Sequence, residues 1–239
     1  MLTTRAPLIG LALLVSACQS KPSSEVTPPA ALGSPPGPAA LAVATSSTPA
    51  GAPEDSATRA RIGHPAPSFS LPDLDGHQVS LGDFQGKVVV LEWFNPGCPF
   101  VRAAHTKGSL VDAAQRARTA GVVWLAINSG APGQQGHGVE ANREGAKTYG
   151  LKHPVLLDED GKVGHSYGAE RTPHLFVIDA QGTLVYAGAA DNSPDGEGEA
   201  PEGGQIIRYV DQALAELAAK KPVSVAFSKA YGCSVKYRK

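Results

Sequence analysis

Two apolar runs constrain the fold more than any other feature of this chain. Residues 88–94 read VVVLEWF and residues 121–128 read GVVWLAIN. Both are rich in β-branched and aromatic residues without polar alternation, the pattern of strands covered on both faces. Between them, residues 99–120 carry apolar side chains at helical spacing, broken only by Gly108. Strand, helical crossover and strand make a parallel pair with a helix layered on the sheet. HLFVID (174–179) and TLVYAG (183–188), separated by Ala180, Gln181 and Gly182, predict a hairpin. Residues 139–149 predict a short helix. QIIRYVDQALAEL (205–217) predicts an amphipathic one, with Ile206, Ile207, Val210, Leu214 and Leu217 on one stripe. The fold class is α/β, with a central mixed β-sheet flanked by helices.

The core begins late. No Phe, Trp or Tyr precedes Phe69, and residues 21–58 hold eight prolines among many Ala, Ser and Thr. Such a segment buries too little apolar area to offset its ordering entropy and reads as a disordered tether. Residues 61–239 then form one domain. At the other end of the tether, residues 1–17 have the form of a secretory signal peptide: Arg5, an apolar run from Leu8 to Val15, then Ser16 and Ala17. The tetrapeptide VSAC (15–18) resembles the bacterial lipoprotein processing box. That resemblance implies a lipid on Cys18, a tether over 18–60 and a membrane-anchored, periplasm-facing protein of the cell envelope. Gln19, rather than Asp, follows the cysteine and points to the outer membrane where a cell has two. The alternative is an ordinary signal peptide with Cys18 incidental. A net charge of −1 makes no case for a nucleic-acid partner.

With Cys18 assigned to lipid, Cys98 and Cys233 remain, 135 residues apart, in a compartment that permits disulfides. Cys98 ends a strand and starts a helix, with Pro99 suited to the first turn. Helix-start N–H groups favour a thiolate, and Arg102, one turn on, adds positive charge. These features predict a nucleophilic sulfur open to solvent; the alternative is an inert buried cysteine. Glu92, inside an apolar strand, is expected to have a raised pKa and to exchange the proton that thiol chemistry moves. Thr172-Pro173 precedes a strand and leaves a backbone edge open. Cys233 lies in YGCSVKYRK, read as a mobile tail able to reach Cys98, with basic neighbours that favour a thiolate. The loop SGAPGQQGHG (129–138) is expected on the same rim as Cys98. The acidic stretch 191–204 reads as a solvated loop. The seven histidines show no ligand spacing near a cysteine, so no metal site is expected.

Three stretches together resemble the thioredoxin-like redoxins, the group that includes peroxiredoxins. They are GHPAPSFSLPDLDGHQVSLGDFQGKVVVLEWF (63–94), NPGCPFVRAAH (95–105) and RTPHLFVIDAQGTLVYAG (171–188). The ending GCSVKY is similar to a peroxiredoxin-like subgroup with a single active-site cysteine. The resemblance implies a thioredoxin-like fold, Cys98 as first active-site cysteine, Glu92 as the buried acid and Pro173 as a cis-proline facing the sulfur. Val101 replaces the second cysteine of C-x-x-C. Leu91 and Asn95 stand where peroxiredoxins have Pro and Thr. The implied activity is thiol–disulfide exchange, with Cys233 resolving, Glu92 shuttling the proton, and Thr172, Pro173, Asn95 and Arg102 meeting the substrate. Its partners are a thiol- or disulfide-containing protein and an external thiol reductant; no cofactor is implied. The alternatives are a thiol peroxidase acting on a peroxide and a non-catalytic redoxin-fold binding lipoprotein.

Overall fold

The computed structural model describes residues 59–239, so the stretch read as a signal peptide, Cys18 and nearly all of the stretch read as a tether lie outside the described residues. Two short strands, β1 (Ser70–Pro72) and β2 (Gln78–Ser80), pair antiparallel ahead of the main sheet. Then come β3 (Val89–Trp93), α1 (Pro99–Thr106), α2 (Ala113–Thr119), β4 (Val123–Asn128), α3 (Val139–Thr148), β5 (Val155–Leu157) and α4 (Lys162–Tyr167). The chain continues through β6 (Arg171–Thr172), β7 (His174–Ile178), β8 (Leu184–Gly188), α5 (Tyr209–Ala218) and β9 (Cys233–Ser234). The main sheet has the order β5-β4-β3-β7-β8. β3 is parallel to β4 and β4 to β5, while β7 runs antiparallel to both β3 and β8. The mixed sheet, the parallel pair and the hairpin are as the sequence leads one to expect.

All five residues of β3 and of β7 are buried, because helices cover both sheet faces. Leu91, Trp93, Leu125, Ile127, Phe176 and Ile178 fill one face with Phe69 and Tyr167. Val90, Trp124, Leu175, Val177 and Tyr186 fill the other, beneath Ala104, Ala113, Ala117, Val210 and Ala213 of α1, α2 and α5. The alternation along β3 therefore sends Glu92 toward α1.

Three features differ from the sequence reading. The segment 99–120 is two helices, because the loop after β8 closes on Gly108: a Cβ there would stand 2.2 Å from the Gly196 carbonyl oxygen. That same acidic loop is packed at Asp191, Ser193 and Gly196 and exposed at Asp195, Glu199 and Glu202, with Glu197 accepting from Lys107 Nζ at 2.9 Å on the surface. Helix α5 begins at Tyr209, not at 205. Ile207 is engaged before it, its N–H donating to Asn192 Oδ1 at 2.7 Å and its carbonyl accepting from Asn192 N–H. The strands β1, β2, β5, β6 and β9 are two or three residues each, too short for periodicity to mark.

Leu91 is wholly buried between β4 and β7. Leu91→Ala is expected to lower unfolding stability by about 2–5 kcal/mol, the cost of lost burial plus a cavity. Urea unfolding checks this, with a lower midpoint at unchanged slope; a loss within about 0.5 kcal/mol, as at a surface site, contradicts the packing described.

Candidate active site

The sequence turns from β3 into α1 through Asn95-Pro96-Gly97-Cys98. Asn95 shapes the turn: its carbonyl accepts from Cys98 N–H at 3.0 Å and its Oδ1 from Gly97 N–H at 2.9 Å. Cys98 is the N-cap of α1, Pro99 takes the first helical position, and Arg102 N–H donates to the Cys98 carbonyl at 3.0 Å. The strand-to-helix corner is therefore where the sequence places it.

The sulfur is not open to solvent. Cys98 is only 1% exposed, which corrects the expectation of an accessible thiol. The cover is the C-terminal segment. β9 pairs antiparallel with β6, with Cys233 opposite Thr172 and packed against the cluster that holds Cys98. The segment is docked rather than loose, so the reading of a mobile tail is also corrected. Val235 N–H donates to the Glu170 carbonyl, Ala131 N–H to the Lys236 carbonyl, and Tyr237 Oη to the Ala169 carbonyl. Upstream, Ser228 N–H donates to the Ala187 carbonyl on β8. Neither cysteine is in a disulfide.

The two thiols have opposite acidities. Burial pushes the Cys98 thiol up, and its Sγ lies 3.1 Å from the Thr172 carbonyl, which favours the protonated form. The Cys233 thiol, the Thr172 side chain and the backbone N–H groups of Val101 and Cys233 outweigh this and hold Cys98 below the ordinary thiol value. The Thr172 hydroxyl is buried and has no hydrogen-bond partner, so a thiolate at Cys98 would give it an acceptor. Cys233 goes the other way: burial, donation to Cys98 and the neighbouring Cys98 charge push it up to about 11. Lys236 opposes this but does not prevail, so the expected Cys233 thiolate is corrected to a protonated donor. Arg102 is exposed, and its charge bears on the Tyr149 hydroxyl, which donates to the Pro96 carbonyl. The lowering at Cys98 comes from hydrogen bonds to the sulfur.

Glu92 lies under α1 with both oxygens occupied. Oε1 accepts from His105 Nε2 at 2.6 Å and Oε2 from Trp124 Nε1 at 3.1 Å. Burial pushes its pKa up, but His105, by charge and by hydrogen bond, brings it below the ordinary carboxylate value. The expected raised, proton-carrying Glu92 is therefore corrected: it is held ionised and ties β3 to α1. His105, two turns after Cys98, was the missed partner; its spacing put it on the face of the helix that meets the sheet.

The rim loop 129–138 does lie beside Cys98. Asn95 Nδ2 donates to the Gln135 carbonyl at 3.0 Å and Gln135 Nε2 to the Gly97 carbonyl at 2.9 Å. Asn128 and Asn142 hold the loop from below through the Gly136 carbonyl. Asn95, predicted to meet substrate, is thus buried and engaged in building this rim. The Thr172-Pro173 bond is cis and sits between β6 and β7. Thr172 pairs with Cys233, and its carbonyl accepts from Cys98 Sγ. Asp73, Asp75 and His77 bring three ligand atoms within 4.8 Å on the β1–β2 turn. Asp73 Oδ1 there accepts from the Asp75 and His77 N–H groups, a turn-building role. Surface grooves of about 440 and 710 Å³ both include Asp179–Gln181, at the end of β7 away from Cys98.

The profile of the redoxin family matches residues 61–207. The chain is similar to the thiol-disulfide oxidoreductase ResA of Geobacillus thermodenitrificans (strain NG80-2), with 33% identity over 129 residues, 53% of this chain and 68% of that one. It is also similar to a protein of Mycobacterium tuberculosis (strain CDC 1551 / Oshkosh) provisionally named a peroxiredoxin, with 30% identity over 146 residues, 54% of this chain and 85% of that one. Among solved structures, a hypothetical protein from Sinorhizobium meliloti 1021 superposes with a TM-score of 0.64 at 27% identity, covering 74% of this chain and 95% of that one.

Burial holds His153 and His174 at about 4, against an ordinary 6.5. Both are neutral in the fold and protonate on unfolding between those values, so stability is full above 6.5 and lost as pH falls toward 4. Unfolding midpoints measured across that window are expected to fall steeply, with uptake of about two protons. His153→Gln is expected to flatten the slope by about half. A flat midpoint contradicts the assignment.

Proposed function

The chain belongs to the redoxin family of thiol-dependent oxidoreductases, with a thioredoxin-like fold, and on that footing we propose that Cys98 and Cys233 form a two-thiol exchange centre. The observation that carries it is the placement of Cys233 opposite Thr172, whose carbonyl lies 3.1 Å from Cys98 Sγ, so that the two cysteines share one site. The Cys98 thiolate attacks one sulfur of a substrate disulfide. A mixed disulfide forms, and the second substrate sulfur leaves as a thiolate that takes a proton from water. Once the Cys98 sulfur is bonded it no longer carries the charge that helps keep Cys233 protonated. Cys233 then ionises more readily and attacks Cys98 Sγ. The Cys98–Cys233 disulfide forms and the remaining substrate thiolate is released. The substrate is reduced by two electrons, and an external thiol reductant restores the pair. Thr172 and Pro173 frame the sulfur on the substrate side, and Arg102 stands exposed beside the corner. Glu92 acts through His105 by fixing the helix that begins at Cys98, not by carrying the proton.

A second reading has its own support: the buried sulfur favours a small oxidant that needs no displacement of the cover. In that reading Cys98 takes an oxygen from a peroxide, releasing the alcohol or water, and Cys233 condenses with the sulfenic acid to the same disulfide, releasing water. The lowered Cys98 thiol counts against a non-catalytic binding protein. The lipoprotein box at 15–18 supports a lipid-anchored protein of the cell envelope, facing the periplasm.

Digestion of oxidised protein is expected to give a peptide linking residues 98 and 233, and Cys233→Ser to accumulate a mixed disulfide on Cys98. No such link under any redox condition contradicts a resolving Cys233. Turnover of a peptide disulfide exceeding that of hydrogen peroxide favours exchange; the reverse order favours the peroxidase. In the producing bacterium, labelled palmitate is expected to enter the wild-type chain but not Cys18→Ser; equal labelling contradicts the anchor.

A further inference from the structure

The segment that covers Cys98 is held as a bound peptide is held. Its backbone pairs with Arg171–Thr172, and the hydrogen bonds continue on to Glu170 and Ala131. Side chains at either end dock in separate places. The Tyr231 ring lies 6.3 Å from that of Phe100, with Oη donating to Asp191 at 3.1 Å. The Tyr237 ring lies 4.1 Å from that of His165, nearly parallel to it. Between these anchors Gly232 has φ +110°, and a Cβ there would stand 2.2 Å from the Thr172 carbonyl oxygen. No residue from 221 to 239 is fully buried. Main-chain bonds and two aromatic anchors hold the segment, while its Val235 and Cys233 pack against the core only partly buried.

We propose that residues 231–237 occupy the substrate's place. The Arg171–Thr172 edge takes an extended polypeptide that carries Gly-Cys in the register of Gly232–Cys233, flanked by aromatic residues, and such a segment reaches Cys98 only by displacing the strap. The proposal rests on the exchange reading. Backbone pairing supplies affinity and the pockets at alternate positions supply selection, as in other strand-addition sites. The incoming cysteine sulfur, disulfide-bonded to a second thiol, stands where Cys233 Sγ stood. Cys98 bonds to it and the second thiol leaves. The strap, tethered to the same chain and so at high effective concentration, then retakes the edge and brings Cys233 to the mixed disulfide. Covering and resolving are one movement.

The test uses the full chain with Cys233→Ser, so that Cys98 is the only nucleophile at the site, and reads the rate of disulfide formation at Cys98. Two substitutions loosen the strap from different points: Tyr237→Ala removes the stack and a hydrogen bond, and Gly232→Ala prevents seating against Thr172. Each is expected to raise the rate with the mixed disulfide of the peptide YGCSVKY and thionitrobenzoate, Tyr237→Ala by about tenfold, the worth of one aromatic stack plus one hydrogen bond, and Gly232→Ala by at least as much because of the clash with Thr172. The smaller reagent dithiodipyridine is expected to gain less. A thiol-free peptide YGSSVKY added to either variant is expected to restore protection, and YASSVKY is not. Near-ultraviolet circular dichroism confirms that each variant is folded. Unchanged rates in both folded variants overturn the strap while leaving exchange intact, as does equal protection by the two peptides. Failure of Cys98 to react even with dithiodipyridine overturns exchange and strap together.

Discussion

Everything at the site depends on the pairing of Cys233 with Thr172 over a buried sulfur. A thiolate away from water is costly unless donors surround it. Here they come from three places: the start of α1, the residue before Pro173, and the C-terminal strand. Only the last is not part of the main domain's framework, and it supplies both a thiol donor and a backbone N–H. The strap is therefore part of the electrostatics of Cys98 as well as its cover. Removing it would expose the sulfur and take away the contributions of Cys233 to its lowered pKa, leaving those of Thr172 and Val101.

The framework beneath is built to keep the corner fixed. β3 is buried along its whole length and sends Glu92 into the interface with α1. A buried carboxylate without a partner would destabilise the fold by several kcal/mol; its bonds to His105 and Trp124 turn that liability into a tie between sheet and helix. On the other side of the corner, Asn95 and Gln135 lock the rim loop to Gly97. The sulfur thus sits on rigid elements, while the piece opposite it is held by a few removable contacts. That contrast suits a reaction in which one thiol stays in place and the other arrives.

Local pattern carried much of this into the sequence. The unbroken apolar runs at 88–94 and 121–128 gave the parallel pair, and the turn at 180–182 gave the hairpin, because both depend on neighbours in the chain. The Cys98 corner was legible for the same reason. What escaped depends on partners far apart. Nothing near Glu92 names His105, so its charge state was misread from burial alone. Nothing in YGCSVKYRK indicates that its backbone joins residue 172, so a docked strand read as a loose tail. Helix α5 lost its first turn to Asn192, and the acidic loop found Gly108, both through contacts that periodicity does not register.

The most direct test is a thiolate absorbance titration of the reduced chain, alongside Cys233→Ala. Two separate steps are expected in the wild type, one below the ordinary thiol range from Cys98 and one at about 11 from Cys233. In Cys233→Ala the remaining step is expected to move upward, because a donor to the sulfur has gone. Two overlapping steps at the ordinary thiol value, or a Cys98 step indifferent to Cys233, would contradict the account.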